Sequence, residues 1–182
     1  ELLADFVAAG YLADLRPQIE AWADWAQYPG VLKGFAEVGG KMIGLPGGST
    51  FSFFYRKDLL EAAGIATDQP ATWDDFYAIC GEIAEKTDAK PAGIPAATPW
   101  GGGTWGEAFQ MIWLSFNGPI FEDGKWVVHS PNLLKAFEVY ETISTNGWLT
   151  VDELLSPNPW EPIKYQGFPD GTVAIVTGGD WQ

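Results

Sequence analysis

The pattern of apolar and polar residues alternates between strand-like runs and helix-like periods along this chain. Short unbroken apolar runs at Met42–Leu45, Phe51–Tyr55 and Thr172–Thr177 predict β-strands. Between them, apolar residues recur every three or four positions, for example after Thr72 and after Ser130, which predicts amphipathic helices. Because strands and helices interleave throughout, the pattern predicts an α/β layered fold.

The segment Gly40–Ile65 has the clearest pattern: a short strand, a glycine turn, a second apolar strand and a helix that ends at Gly64. The run Phe51–Tyr55 is typical of a strand covered on both faces. Gly47 and Gly48 leave the backbone bare, and two hydroxyl residues follow them, so this step could form one wall of a binding cleft. An ordinary glycine-rich connection explains the same pattern.

Several helix ends are marked by capping residues. Thr72 with Asp75 three positions later predicts a capping box, and Ser130-Pro131 predicts an N-cap followed by proline at the first helical position. Acidic residues in the first turn interact favourably with the positive end of the helix dipole. We therefore interpret Asp74 and Asp75 as structural rather than as a catalytic carboxylate pair. The sequence Glu122–Lys125 predicts a hairpin turn.

Charge and composition exclude several classes of protein. The 182 residues suit one large or two small domains, and the formal net charge of −14 argues against nucleic acid or an anionic membrane as a partner. No apolar run approaches the roughly 20 residues that span a bilayer. Single Cys80 and His129 cannot form an internal disulfide or a histidine-rich metal site. Thr98–Trp105 lacks the Lys-Ser/Thr of a phosphate loop, and no cofactor is predicted.

Tryptophan is the residue type that suggests a ligand. The chain has 10 Trp, and indole joins a large apolar face to one N–H donor, which suits sugars. Four of them lie on helix or strand patterns and are predicted to be core residues. These are Trp73, Trp113, Trp126 and Trp148. The chain begins without Met and stops directly after an apolar run, so we expect it to be cut from a longer protein.

Six motifs then occur in an order that resembles a known family. They are AAGYLADL, GGKMIGLP, FFYRKDLLEAAGI, PATWDDF, SFNGPIFEDGKW and GTVAIVTGGDW, spread from Ala8 to Trp181. The chain resembles extracellular solute-binding proteins of the carbohydrate ABC-importer type, related to maltodextrin-binding proteins. The resemblance implies the two-lobed periplasmic-binding-protein (Venus flytrap) α/β fold, represented here by an incomplete segment of both lobes. It also implies a periplasmic or extracellular protein that is a monomer when full length, and a lipid anchor is one mode of attachment that it allows.

The resemblance also implies where the lobes divide. Residues 1–92 would belong to the N-terminal lobe and 93–99 to the hinge crossover. Residues 100–177 would belong to the C-terminal lobe, and 178–182 would return towards the cleft. Lobe closure would bury a sugar or oligosaccharide and present it to an ABC permease in the membrane.

Matching this sequence to the family places the ligand contacts on both sides of the crossover. Hydroxyls and a carboxylate would pair with sugar hydroxyls, and tryptophans would stack on the rings. The predicted ligand-binding residues are Ser49, Thr50, Trp100, Trp105, Trp160, Asp180 and Trp181. One departure is Arg56, which stands where the family usually has Asn, and another is the lack of an acidic residue in Pro46–Thr50.

Two other functions remain open at the level of sequence. A glycosidase or lyase would need two carboxylates facing one bond, with Glu107, Glu161 and Asp180 as candidates, but no pattern marks such a pair. A protein of the same fold could also bind a polyamine, whose cations suit an acidic chain with many tryptophans. The main prediction is a non-enzymatic carbohydrate-binding protein.

Overall fold

The computed structural model describes residues 3–47, 50–96, 105–158 and 160–181. The chain divides into two compact units, Glu1–Thr50 and Phe51–Gln182. None of the helices within the described ranges is long and apolar enough to cross a membrane.

The first unit is built from short helices and one hairpin. Its elements are α1 (Leu3–Ala8), α2 (Arg16–Glu20), a 3₁₀ turn (Ala23–Gln27), α3 (Gly30–Ala36), β1 (Glu37–Val38) and β2 (Lys41–Met42). Gly39 and Gly40 both have positive φ, as a two-residue hairpin loop requires, and so strand β2 begins at Lys41. The predicted strand Met42–Leu45 was therefore wrong in extent, because only Met42 of that run pairs in the hairpin.

The second unit has a three-stranded sheet at its centre. Strands β3 (Phe51–Tyr55) and β4 (Lys90–Gly93) lie on either side of β7 (Val173–Gly179). Strand β7 runs antiparallel to β3 and parallel to β4, and all seven of its residues are buried. The predicted strand Thr172–Thr177 is confirmed and extends two residues further, because the central strand is paired along its whole length.

Strand β3 is confirmed, but its expected burial on both faces is wrong. Phe51 is 39% exposed and Tyr55 is 43% exposed, and no residue of the strand is fully buried. The reason is the strand order, since β3 lies at the edge of the sheet and has no second neighbouring strand in the described part of the chain.

Helices cover the sheet and supply most of the core. They are α4 (Lys57–Ala62), α5 (Trp73–Lys86), α6 (Gln110–Ser115), α7 (Pro131–Thr145), α8 (Val151–Leu154) and α9 (Phe168–Asp170). A hairpin of β5 (Phe121–Glu122) and β6 (Lys125–Trp126) lies between α6 and α7 in the sequence. Both predicted caps are confirmed: Thr72 and Asp75 form the capping box, and the Ser130 hydroxyl accepts from the Leu133 amide. Of the predicted core tryptophans, Trp113 and Trp148 are buried, whereas Trp126 is 57% exposed on the hairpin.

Two segments of the second unit are π-helical. Trp105–Phe109 forms a π-helical turn that leads directly into α6. Trp160–Gly167 forms the other. Proline at position 162 is tolerated there because it lies in the first turn, where its missing N–H has no helical partner to lose.

The compact units do not follow the predicted lobe boundary. Strand β3, from the segment assigned to the N-terminal lobe, is hydrogen-bonded to β7, most of which was assigned to the C-terminal lobe. Strand β4 pairs with the other side of β7. The two compact units divide between Thr50 and Phe51, and the lobe boundary at 93–99 stays a prediction.

Candidate functional site

The sheet of the second unit brings distant parts of the chain to one edge. Strands β4 and β7 are parallel and so end at the same edge, where the antiparallel strand β3 begins. In α/β sheets, ligands bind outside the carboxyl ends of the strands. Asp180 and Trp181 directly follow β7, and Phe51 is the first residue of β3, so all three lie at this edge.

Trp181 lies against the end of the sheet with much of its ring accessible. The residue is 57% exposed, and its ring meets Phe51 edge-on with centroids 5.6 Å apart and an interplanar angle of 83°. A Cβ atom at Gly179 would collide with the indole, so glycine at that position lets the ring fold back over the backbone. Asp180 beside it is exposed. An exposed indole next to a carboxylate can stack on a sugar ring and accept from its hydroxyls.

Trp105 begins the π-helical turn beside Phe51 but turns towards the core. A Cβ atom at Gly106 would lie 3.5 Å from the Phe51 ring, which brings the two segments into contact. The Trp105 ring stacks on Phe109 at 5.4 Å and meets Trp126 edge-on at 6.0 Å. It is half-buried in this aromatic cluster. Its indole therefore has less free surface for a ligand than that of Trp181.

A buried ion pair links the two π-helical segments. Lys164 Nζ lies 2.5 Å from Glu107 Oε2, and the two residues are only 7% and 9% exposed. Burial lowers the pKa of Lys164, and the hydrogen bond from its ammonium to Glu107 opposes that shift. The same ammonium lies 4.5 Å from the centroid of the half-buried Trp160 ring, within the range of a cation–π interaction.

Together these contacts form one continuous series. Trp181 contacts Phe51, which contacts the Gly106–Glu107 backbone turn. Glu107 is ion-paired with Lys164, which lies over Trp160. We call these residues the edge cluster. Two of the predicted ligand-binding tryptophans, Trp160 and Trp181, therefore belong to the edge cluster, and Trp105 adjoins it next to Gly106.

The structure gives less information on three other predicted site residues. Thr50 is exposed and belongs to the first unit. Ser49 and Trp100 lie outside the described residues. The ligand contacts assigned to all seven residues stay predictions.

Three members of the edge cluster were not predicted as ligand-site residues. The sequence predicts Phe51 only as part of a strand and Glu107 only as a candidate glycosidase carboxylate, and no motif includes Lys164. The sequence holds one hint, because Lys164 is the sole Lys or Arg between residues 136 and 182. An isolated cation in an acidic stretch points to a specific partner, although nothing local identifies Glu107, 57 residues away.

A groove of about 740 Å³ runs along β3, and Phe51 of the edge cluster forms part of its wall. Its walls are largely aromatic and aliphatic and include Phe53, Tyr55, Trp73 and Met111, with the 66–72 loop on one side. No group of three or more His, Cys, Asp or Glu within the described ranges could hold a metal ion. The edge cluster is thus the better candidate for a sugar site, since it combines exposed indole with a carboxylate.

Comparison with known families gives a match over almost the whole chain. Residues 1–180 match the model of the family described as bacterial extracellular solute-binding protein. No curated protein matches the chain.

Solved structures of similar fold include several sugar-bound proteins. A solute-binding protein of an ABC transporter from Thermotoga lettingae, bound with α-D-tagatose, is 20% identical with a TM-score of 0.78, and the match covers 98% of this chain and 45% of that one. The GacH receptor of Streptomyces glaucescens, studied with acarbose, is 22% identical with a TM-score of 0.77, covering 99% and 44%. UgpB from Mycobacterium tuberculosis, in complex with glycerophosphocholine, is 18% identical with a TM-score of 0.65, covering 97% and 42%.

At these identities the likeness shows the fold. The chain spans less than half the length of each of these proteins. The predicted fold class, an incomplete segment of a two-lobed solute-binding protein, is confirmed by these matches.

Proposed function

We propose, from the premise that this chain belongs to the family of bacterial extracellular solute-binding proteins, that the whole protein captures a sugar for an ABC importer. The family membership predicted from the six motifs is confirmed. The protein would work outside the cytoplasm as a monomer, closing two lobes around a sugar or oligosaccharide and delivering it to a membrane permease.

The observation that supports a sugar is the environment of Trp181. Its indole is 57% exposed at the carboxyl edge of the sheet and is fixed edge-on against Phe51. A rigid aromatic face gives contact area at low entropic cost, and Asp180 beside it can accept hydrogen bonds from hydroxyls. Two of the similar structures are described with sugar-like ligands, α-D-tagatose and acarbose, which supports the same class of ligand here.

We place the crossover between the lobes at Thr50–Phe51. The two compact units meet at that bond, and the sheet that follows it keeps Phe51–Tyr55, Lys90–Gly93 and Val173–Gly179 together. In this assignment, Ser49 and Thr50 end the segment from one lobe, while the edge cluster belongs to the other.

An enzyme is the weaker candidate. Glycoside hydrolysis needs two carboxyl groups flanking one bond, roughly 5–10 Å apart. Of the three candidates, Glu107 is buried and neutralised by Lys164, so it is not available as a general acid or nucleophile. We therefore propose a binding protein without catalytic turnover. A polyamine remains the alternative ligand, because Asp180 and Trp181 would also suit a cation.

The test is a ligand panel on the full-length protein. Neutral mono- and oligosaccharides, acidic sugars and spermidine are titrated while intrinsic tryptophan fluorescence and the melting temperature are followed. A sugar should shift both signals saturably without release of reducing sugar. Spermidine binding that no sugar displaces would replace the sugar proposal with the polyamine one, and release of reducing sugar would show an enzyme. If no sugar shifts either signal, the proposal is wrong.

A further inference from the structure

The Glu107–Lys164 pair is unlike the other ion pairs that the structure describes. In each of the others at least one side chain is 30% exposed or more, whereas Lys164 and Glu107 have side-chain exposures of 7% and 12%. Removing two charges from water is costly, and the mutual attraction of a buried pair often only offsets that cost. A hydrophobic pair of similar volume would serve stability as well, so a buried ion pair at this place calls for a role beyond stability.

The pair lies inside the edge cluster and connects the side formed by the exposed Trp181 with the side formed by the half-buried Trp160. Gly106, adjacent to Glu107, is against the Phe51 ring that supports Trp181. On the other side, Lys164 lies under the Trp160 ring. A ligand that reached from Trp181 to Trp160 would come close to Lys164, because the Lys164 ammonium lies 4.5 Å from the centroid of the Trp160 ring.

We propose that Glu107 neutralises Lys164 beneath the ligand and thereby makes this site select uncharged sugars over acidic sugars. The inference rests on the proposed function, since it concerns the same site. Lys164 supplies a buried positive charge, which would otherwise attract the carboxylate of a uronic acid. Glu107 satisfies that charge permanently, so an acidic sugar gains no ion pair when it binds.

The other charges near the site act in the same direction. Asp180 lies beside Trp181 and Glu161 lies beside Trp160, and both carboxylates are exposed. The whole chain carries a formal charge of −14. An acidic sugar therefore meets net repulsion, whereas a neutral sugar avoids it and still gains the aromatic contacts.

The test compares matched pairs of sugars on the full-length protein. Glucose is paired with glucuronate and galactobiose with digalacturonate, so that each pair differs by oxidation at C6. The wild type should bind a neutral member at least tenfold more tightly than its acidic counterpart. In Glu107→Gln the uncompensated Lys164 should attract the acid and reduce this ratio about tenfold. In Lys164→Met the uncompensated Glu107 should repel the acid and increase the ratio.

The matched control is Glu82→Gln, which breaks the exposed Lys86–Glu82 pair on α5 and should leave the ratio unchanged. The two site variants are expected to change the ratio in opposite directions, which a general loss of packing would not do. If either folded site variant keeps the wild-type ratio, the inference is wrong. It is also wrong if the wild type binds the acidic member as tightly as the neutral one, a result that needs no variant. A wild type that binds no sugar at all would instead refute the proposed function.

Discussion

The guanidinium of Arg56 donates a 2.7 Å hydrogen bond from Nη1 to the carbonyl oxygen of Phe168, 112 residues further along the chain. The same nitrogen donates to the carbonyl oxygen of Pro169. Asp58 holds the other side of the guanidinium through Nε and Nη2, at 2.9 and 2.7 Å. Arg56 thus ties the end of β3 to the turn that precedes β7. Asn, which is usual at this position in the family that the sequence resembles, is too short to make this set of contacts.

Acid should weaken the fold through Asp58. The hydrogen bonds from Arg56 lower the pKa of Asp58 to about 2 in the folded protein, against roughly 3.9 in an unfolded chain. The carboxylate therefore contributes stability above about pH 4, and that contribution is lost as the pH falls from 4 towards 2. The free energy of unfolding, measured with urea at pH 6 and at pH 2.5, should fall less on acidification in Asp58→Asn than in the wild type.

The control for this prediction is Asp68→Asn. Asp68 is exposed and takes part in none of the ion pairs that the structure describes. It should show the same acid-induced loss as the wild type. Equal losses for Asp58→Asn and the wild type would contradict the role assigned to Arg56.

Gly93 should not tolerate alanine. A Cβ atom there would lie 2.6 Å from Ile163 Cγ2 and 2.8 Å from Val173 Cγ1, both in the core. Gly93→Ala should reduce the free energy of unfolding by about 1–3 kcal/mol, because the overpacked core has to shift. Gly81→Ala is the matched control: its Cβ would meet nothing within 4 Å inside α5, and helix propensity should raise stability by about 0.5–1 kcal/mol. A similar change in both variants would contradict this packing.

The capping box at Thr72 should contribute to stability. Its hydroxyl accepts from the Asp75 amide at 3.1 Å, and the Asp75 carboxylate accepts from the Thr72 amide at 3.0 Å. Thr72→Ala should lower the free energy of unfolding by about 1 kcal/mol in a denaturant titration. Thr145→Ala, at an exposed position in the last turn of α7, should cost nothing, and an equal loss in both variants would argue against the cap.

Trp181 should supply much of the affinity for a sugar. Removing its ring in Trp181→Ala should weaken binding of the best sugar in the panel at least tenfold, equivalent to about 1.4 kcal/mol. Calorimetry on the full-length protein measures this directly. Phe121→Ala removes a ring of comparable exposure from the β5–β6 hairpin and should leave the affinity unchanged. Unchanged affinity in Trp181→Ala would move the site away from the edge cluster.

Cys80 should be inert in the folded protein. The thiol is fully buried in α5, and burial raises its pKa to about 12. Because the thiolate is the reactive form, a thiol reagent at pH 8 should modify Cys80 only after denaturant is added. Rapid modification of the native protein would show that this part of the core opens readily.

Local features of the fold could be predicted from the sequence. Capping at Thr72 and Ser130 depends on residues within three positions, and the pattern at Phe51–Tyr55 is a contiguous run. The motif GTVAIVTGGDW places Asp180 and Trp181 directly after β7, and their contacts with a ligand stay predictions implied by the family resemblance. All of these depend on interactions within a few residues, which the order of amino acids specifies directly.

Tertiary structure decided which of these elements meet. Strand β7 joins β3 and β4 in one sheet, and apolar periodicity carries no information on strand partners. The Glu107–Lys164 pair joins residues 57 positions apart, and each looks like an ordinary charged residue in its own segment. Long-range pairing depends on how helices and strands pack, so only the folded chain shows that these charges meet beside Trp160.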